Sequence, residues 1–411
     1  MTQDVTIIGA GIGGLTLALC LHDAGIGCRV YEAAAQIRPL GVGVNLLPHA
    51  TKHLARLGLL DALAQVAVTT REQIFFNRFG QYIYSEPTGR FAGFEHPQLS
   101  IHRGDLQTVL LRAVRERLGD DAVVAGHRCT GIEQRGDTVL AQFVDPADTP
   151  LPPAVSRVLV GCDGIHSVVR RQFYPDEGPP RYSGVNMWRG VTIGEPFLTG
   201  ASMVRAGWLS VGKMVIYPIR DDVDGHGRQL INWVAEIESP QPVRRDWNRA
   251  GRLEDFFPAF ADWHFDWLDV AELIRRAESV LEYPMVDQDP LPTWTFGGAT
   301  LLGDAAHPMV PRGSNGAGQA ILDAGYLADC LRRHGVGEPA LRDYDQVRVA
   351  ATTQVVLMNR RDPPDAILRE VHLRSGDRPF ERIEDLIGVD EMAAITGRYR
   401  QVAGVGDPTR R

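Results

Sequence analysis

Gly9-Ala10-Gly11-Ile12-Gly13-Gly14 directly follows the apolar run Val5 to Ile8, and an acid, Glu32, stands at the end of the next such run, Cys28 to Tyr31. Glycines at this spacing bind a dinucleotide. Gly9 permits a tight turn, Gly11 lets the backbone approach a pyrophosphate, and Gly14 allows the following helix to pack closely on the strand. The N-terminus of that helix offers unpaired N–H groups and a partial positive charge to the diphosphate. Glu32, followed by Ala33, can accept hydrogen bonds from a ribose. An acid there disfavours a 2′-phosphate, so the fingerprint suits FAD or NAD better than NADP. A structural glycine turn and a signal peptide are the competing readings. Asp4 and the four glycines that interrupt residues 5 to 21 count against the second.

Three further segments combine a strand end with a turn. Ser100-Ile101-His102-Arg103-Gly104-Asp105-Leu106 places a basic residue at a helix start. Val160-Gly161-Cys162-Asp163-Gly164 runs through Ile165-His166-Ser167 into a helix that holds Arg170. Leu301-Leu302-Gly303-Asp304-Ala305-Ala306-His307-Pro308 leads on to Pro311-Arg312-Gly313-Ser314-Asn315-Gly316-Ala317-Gly318-Gln319. Asp-Gly and Gly-Asp pairs are ordinary turn formers, so each of these alone reads first as a plain turn.

The elements that must carry these residues follow from the hydrophobic pattern. Residues 1–71 hold the βαβ opening, with a helix near His49 to Leu57. Residues 72–97 read as a hairpin outside the parallel sheet, with strands Ile74 to Phe76 and Gln81 to Tyr84 around the turn Asn77 to Gly80. Residues 98–180 return to the first domain. They supply a helix from Arg103 to Leu118 and strands at Val139 to Val144 and Arg157 to Val160. Residues 181–284 hold strands at Met187 to Ile193, Trp208 to Ser210, Lys213 to Pro218 and Leu230 to Ile237, without the helices that parallel crossovers need. An antiparallel sheet is expected there. Trp188, Trp208, Tyr217, Trp233, Trp247, Trp263, Trp267 and Tyr283 make this region the better candidate to hold a flat aromatic ligand, although any one of them can be ordinary core. Residues 285–362 bring back α/β character with a strand at Thr300 to Leu302 and a helix at Gly316 to Arg332. Residues 363–411 read as a helical tail with a disordered end from Gly404 to Arg411.

At 411 residues the chain has room for two or three domains. A net charge of −8 argues against a nucleic-acid partner. No apolar stretch is long enough to span a membrane. The five cysteines are widely spaced without a C-x-x-C pair, which suggests neither a zinc site nor a disulfide framework and suits buried thiols in the cytoplasm.

Taken together and in this order, the four motifs resemble the class A FAD-dependent aromatic monooxygenases, the family of hydroxybenzoate and salicylate hydroxylases, over about residues 4 to 360. The resemblance implies a Rossmann-like α/β FAD-binding domain, an antiparallel β-sheet substrate domain as in para-hydroxybenzoate hydroxylase, and a C-terminal helical segment. It implies that Asp304, after Gly303, accepts hydrogen bonds from the ribitol of FAD. The loop to Gly316, Ala317 and Gly318 would present N–H groups to the flavin, where the helix dipole stabilises the reduced form. Arg103 would approach the diphosphate, and Asp163 would serve FAD and a passing nicotinamide. Arg38 and the turn from Gly41 to Asn45, with Val44, would border the ring, and the strand near Cys129 would line the adenine. Asn315 stands where relatives often carry Gln, and Leu322 where they carry Glu, changes that spare the backbone donors.

Met187-Trp188-Arg189-Gly190-Val191, Asp246-Trp247-Asn248-Arg249, Gly251-Arg252-Leu253-Glu254-Asp255 and Tyr283-Pro284-Met285-Val286-Asp287 resemble the bacterial phenazine-carboxylate hydroxylases more closely. The reaction implied uses NAD(P)H as a transient co-substrate, since no second nucleotide fingerprint occurs, and O2. Oxygen transfer through a flavin C4a-hydroperoxide would reach an aromatic ring, here a polycyclic N-heteroaromatic carboxylate such as a phenazine. Tyr217 and Tyr283 are candidates for polar contacts to that substrate, and Pro311 and Asn315 for its border with the flavin loop. No residue stands out as a base, and an electron-rich N-alkyl phenazine needs none. His307 reads either as a neighbour of the flavin or as a histidine that orients the Gly-Asp turn. Arg189 or Arg205 could hold a small carboxylate if the enzyme is of the salicylate or hydroxybenzoate type. A non-oxygenating NAD- or FAD-dependent oxidoreductase is the reading from a different class. The protein is expected to be a monomer or homodimer, with no metal.

Overall fold

Apolar, β-branched runs that are buried on both sides belong in a central parallel sheet, and Val5, Ile7, Val30, Val158, Leu159 and Val160 are almost completely inaccessible. In the computed structural model, which describes residues 3–39, 41–240, 250–361 and 363–402, Gln3–Ile8 is flanked in parallel by Cys28–Tyr31 and Pro150–Gly161. Val123–Val124 extends the sheet on one side and the antiparallel strands Thr138–Val144 and Arg128–Arg135 on the other. The long strand Pro150–Gly161 changes partner along its length. Its last residues, Leu159 to Gly161, run parallel to Ala299–Leu301. Helix Ile12–Asp23 packs between helices Gly316–His334 and Arg103–Leu118 over this sheet.

The second sheet has seven strands in the order Val280–Asp287, Arg181–Gly194, Gln229–Glu238, Gly212–Arg220, Ser202–Trp208, Glu72–Phe76 and Tyr82–Pro87. It is antiparallel as expected, with one exception. Ser202–Trp208 and Glu72–Phe76 run parallel, because the hairpin that contains Glu72 reaches this edge from a distant part of the chain and no tight turn constrains its direction. The segment Trp208 to Ser210, expected as strand, is the turn after Ser202–Trp208: Val211 N–H donates to Trp208 O at 3.0 Å. A small sheet of Gly43–Leu46, Gln98–His102 and Ala67–Thr70 joins the two large ones.

Strand alternation sorts the side chains of the second sheet onto two faces, and most of its aromatic residues fall on the one that forms ordinary core. Trp188, Trp233, Trp263 and Phe265 share one buried core with Phe256, Phe260, Val270 and Ile274, against which Trp267 packs. Trp188 stacks on Phe256 with ring centroids 5.0 Å apart. Gly190 is needed for the same core: a Cβ there would lie 2.3 Å from the Trp233 ring. The opposite face carries Met187, Met203, Val215, Tyr217 and Val234, packed with Val310 just before the flavin loop. Of the aromatic set, Tyr217 and Tyr283 belong to this side, with Trp208 at its border. Trp247, with Asp246, Asn248 and Arg249, lies outside the described residues.

The C-terminal segment is packed as firmly as the rest. Ile367, Leu368 and Val371 of helix Ala366–Ser375 and Met392 of helix Val389–Val402 close a core with Phe75 and Ile83 of the hairpin. Arg78 donates to both Asp377 oxygens at 2.9 and 3.0 Å. Residues Gly404 to Arg411 lie outside the described residues. No described helix is long and apolar enough to cross a membrane.

Because Trp263 fills a core on the far side of the sheet from the flavin loop, Trp263→Ala should lower unfolding stability by about 3–5 kcal/mol. Urea unfolding of the purified variant checks this. Its affinity for an aromatic ligand, measured on the folded protein, should match the parent.

Candidate active site

Four neighbouring parallel strands end together, and the dinucleotide loop, Glu32, the Asp163 turn and the Asp304 turn sit at those ends, while Arg103 follows Gln98–His102 of the small sheet. Cys162 N–H donates to Ile8 O at 2.8 Å, Leu302 N–H to Gly161 O at 2.9 Å, and Gly9 N–H to Tyr31 O at 2.7 Å. Gly9 adopts φ +106°, and a Cβ on it would stand 2.4 Å from Cys162 O. A Cβ on Gly14 would stand 2.1 Å from Gly9 O, and one on Gly13 2.7 Å from Leu302 Cδ2. At Gly11, by contrast, a Cβ would meet nothing within 4 Å. That is the open approach a diphosphate needs. Glu32 braces the loop, accepting from Ala10 N–H and Ala34 N–H at 2.8 Å each, and Ala33 is exposed beside it. Next to Glu32, Tyr31 stacks on Phe143 at 4.6 Å, and Cys129 pairs with Phe143 across the sheet, all three buried in the core of the parallel sheet.

The Asp-Gly turn at residue 163 caps a helix. Asp163 Oδ2 accepts from Val168 N–H at 2.8 Å, while Oδ1 is buried with no partner among the described residues, and burial raises its pKa. Asp304 lies near the start of helix Gly316–His334, with a Gly316 Cβ position 3.9 Å from its Oδ1. Its carboxyl is open to the channel but walled by protein. That crowding raises its pKa, with His307 and Arg103 acting in the opposite direction.

The residues that hold Asp304 in place went unassigned in the sequence. Arg170, 2% exposed, donates to Ala305 O and Ala306 O at 3.1 and 2.8 Å and pairs with Glu177. Asp323 accepts from Gly303 N–H at 3.2 Å, from His307 Nε2 at 2.6 Å and from Arg348 Nε at 2.7 Å. Burial pushes the Asp323 carboxyl up, but His307 and Arg348 bring it below the ordinary range. Of the two readings of His307, the structure supports the one in which it orients the Gly-Asp turn. A short-range signal for Arg170 did exist: an arginine three residues after the N-cap Ser167, following Asp-Gly.

The flavin loop ends at a second open helix N-terminus. Pro311 is exposed and Ser314 is at φ +52°. Asn315, the N-cap of helix Gly316–His334, makes no side-chain cap bond, and no acid occupies the first turn. Instead Asn315 Oδ1 accepts from His49 Nε2 at 3.0 Å. Burial lowers the His49 pKa to about 4, so the ring is neutral near pH 7. Gly318 makes room for this pair, since a Cβ there would lie 2.9 Å from both atoms.

Opposite the loop, Gly43 is tied to the second sheet on both sides of its peptide. Its N–H donates to Asn232 Oδ1 at 2.7 Å, and its carbonyl accepts from Arg189 Nη2 at 2.6 Å and Tyr217 Oη at 3.0 Å. Tyr217 and Arg189 thus spend polar atoms on holding the turn next to Val44. Arg103 begins its helix against Gly41, exposed to the channel, whereas Arg38 is exposed and bonded to Gln36. Tyr283 is half-buried, its pKa raised by that burial and lowered in turn by Arg189 and Arg103 nearby.

A narrow cavity adjoins the flavin loop at Gly313 and Ser314, roofed by Leu47 and Pro48 and floored by Gln73, Met203 and Arg205. Arg205 is 2% exposed, with Nη1 donating to Arg312 O at 3.0 Å and Nε to Gln73 Oε1 at 3.2 Å. Of the two arginines considered for a carboxylate, Arg205 is the one that lines this cavity.

The channel fits FAD. Gly11 leaves the approach to one helix N-terminus open, the helix N-terminus at Gly316 likewise lacks a side-chain cap, and the Asp304 carboxylate lies beside it. The FAD binding domain family matches residues 2–199. Phenazine 1,6-dicarboxylic acid hydroxylase PhzS of Lysobacter antibioticus is 44% identical, with 97% of each chain covered. The 3-amino-4-hydroxybenzoate 2-monooxygenase PtnB3 of Streptomyces platensis is 36% identical over 93% of this chain and 91% of that protein. Among solved structures, HpxO of Klebsiella pneumoniae complexed with FAD and uric acid superposes with a TM-score of 0.72 at 22% identity, covering 98% of this chain and 93% of that one. With its dinucleotide loop, its paired Asp turns and a similarity that runs the length of the chain, this protein belongs to the class A FAD-dependent aromatic monooxygenases.

Proposed function

We propose that this enzyme hydroxylates an electron-rich, polycyclic N-heteroaromatic carboxylate of the phenazine type, with NAD(P)H as reductant. The observation that carries this reading is Arg205, a buried cation on the wall of the cavity beside the flavin loop, in a chain 44% identical to a phenazine dicarboxylic acid hydroxylase. FAD, when bound, supplies the redox chemistry: it accepts a hydride from the nicotinamide and activates dioxygen for transfer of one oxygen atom to the ring.

The protein contributes placement and electrostatics. Residues 1–71, 98–180 and 285–362 form the cofactor-binding unit in this reading, and residues 72–97 and 181–284 the substrate-binding unit. Gly9, Gly11, Gly13 and Gly14 with Arg103 take the diphosphate. Glu32 and Ala33 take the ribose, Cys129 and its neighbours the adenine. Asp304 accepts from the ribitol, with Gly303 giving the turn its shape, and Asp163 assists from the neighbouring strand end. Val44 borders the flavin ring, with Arg38 at the outer rim. The N–H groups of Gly316, Ala317 and Gly318 stabilise negative charge at the pyrimidine edge. Pro311 and Asn315 separate ring and substrate.

Arg205 holds the substrate carboxylate through its remaining guanidinium N–H groups, since Nε and one N–H of Nη1 are already engaged. Its fixed position sets which ring carbon faces the flavin. Tyr283 borders the same space. Tyr217 acts through Gly43, as a positioning residue rather than a proton carrier.

The direct test is turnover of phenazine-1,6-dicarboxylate. Accelerated NAD(P)H oxidation with matching hydroxylated product supports the reading. Fast oxidation that yields only hydrogen peroxide, or turnover of salicylate or 3-amino-4-hydroxybenzoate to the exclusion of phenazines, contradicts it.

Asp304→Ala should cost about 2 kcal/mol of FAD affinity, or roughly 30-fold in Kd. Equilibrium dialysis measures this, and unchanged retention at dilute protein would remove Asp304 from the cofactor site. Stability should also depend on His49. Its folded pKa of about 4 lies below the 6.5 of the free group, so the unfolded chain binds the proton more readily between those values. The resulting loss is absent above pH 6.5, grows as the pH falls and is complete below about pH 4. His49→Gln should therefore show a shallower decline of the urea midpoint between pH 7 and pH 4.5 than the parent.

A further inference from the structure

We propose that the C-terminal segment, residues 363–402, completes the substrate chamber, and that Asp365 at its start is a positioning residue that holds Arg205 at the chamber wall. The proposal rests on the assignment of that cavity to the aromatic carboxylate.

Two residues of the segment, Pro364 and Thr396, line the cavity directly. Thr396 Oγ1 donates to Glu86 Oε2 at 3.1 Å. Glu86 stands opposite Gln73 across the hairpin, and Gln73 in turn receives Arg205 Nε. Helix Val389–Val402 is thus tied, through the hairpin, to the cation of the chamber.

The other tie is ionic and lies deeper. Lys213, 0% exposed, is in register with Glu236 on the cofactor-facing side of the sheet, two residues from Val215 and four from Tyr217. Its Nζ donates to Glu236 Oε2 at 2.7 Å and pairs with Asp365, itself 1% exposed. Burial raises the Asp365 carboxyl, yet Lys213, Arg205 and Arg312 together bring it to about 2, so it carries its charge at any working pH.

Stability alone does not explain such a cluster. The segment already docks through the apolar core it shares with Phe75 and Ile83, and a buried ion pair is often no better than an apolar contact of the same volume. Register places Arg205 opposite Val215, two positions along from Lys213 on the same face of the sheet, and Pro364, the residue before Asp365, shares the cavity wall with Arg205. The cluster thus sets a fixed negative charge beside the wall cation; without it Lys213 and Arg205 repel, and only the hydrogen bonds of Arg205 to Gln73 and to the Arg312 carbonyl resist its displacement.

The test uses the full-length, FAD-loaded enzyme, phenazine-1,6-dicarboxylate as ligand, and the variants Asp365→Asn, Thr396→Val and Arg374→Gln. The last removes a surface pair with Glu391 in the same segment, away from the cavity. Ligand Kd from quenching of tryptophan fluorescence is measured beside KM, kcat and the fraction of reductant lost as peroxide.

Asp365→Asn is expected to raise Kd and KM about tenfold. Peroxide should rise too, while FAD content stays at the parent value. Thr396→Val should move the same quantities in the same direction by about threefold, less than half of that shift in free energy. Arg374→Gln should leave them unchanged, and Asp365→Glu should restore part of the loss. Parent-like Kd in both Asp365→Asn and Thr396→Val, or an equal shift in Arg374→Gln, overturns the proposal. If Asp365→Asn does not fold, Thr396→Val decides. A parent that binds the ligand without hydroxylating it contradicts the functional reading alone, and one that does not bind it overturns both.

Discussion

Gly9 lies so close to the carbonyl of Cys162 that no other residue fits, and the rest of the site depends on that contact. It lets the strand ends at Ile8, Gly161 and Leu301 stand side by side. The dinucleotide loop, the Asp163 turn and the Asp304 turn therefore open into one channel. Residues more than a hundred positions apart become neighbours through backbone hydrogen bonds alone. The side chains that finish the arrangement are buried charges, and each is satisfied: Arg170 on two carbonyls and Glu177, and Asp323 on a peptide N–H, a histidine and an arginine. Leaving any of them unpaired in that interior would cost more than the pair itself contributes.

The second sheet works by dividing its faces. One side is an aromatic core that gives the sheet rigidity. The other is mostly aliphatic, with a few polar residues that reach across to the cofactor unit. Gly43 is gripped at both N–H and carbonyl by that sheet, which ties the turn before Val44 to the strands that carry the cavity wall. Such coupling suits a reaction in which an aromatic carbon must sit within a few tenths of an ångström of the right place.

Much of this was legible in the sequence because the cofactor motifs are local. Gly9 to Gly14, Asp163, Asp304 and the loop to Gly318 each carry their meaning within about ten residues, and the structure brings them to one channel. The fold class was legible for the same reason, since helices alternate with strands in one region and are missing from the other. What the sequence hid was long-range. The parallel pairing of Ser202–Trp208 with Glu72–Phe76 leaves no local trace. Which face of a strand a tryptophan occupies depends on register, so Trp188 and Trp233 looked like candidates for a ligand until the alternation placed them behind the sheet. His49 and Asn315 are 266 positions apart and meet only when the fold is complete. The C-terminal residues read as a tail because their partners, Phe75, Glu86 and Lys213, lie in three other elements.

A single flavin held by all of these segments at once is the central requirement, and a crystal structure of the FAD complex tests it most directly. The diphosphate should lie at Gly11 and Arg103, the ribitol at Asp304, and the ring between Val44 and Gly316 with its face toward Arg205. Density that places the ring away from the Gly313–Gly318 loop, or a nicotinamide dinucleotide bound in its stead, would contradict it.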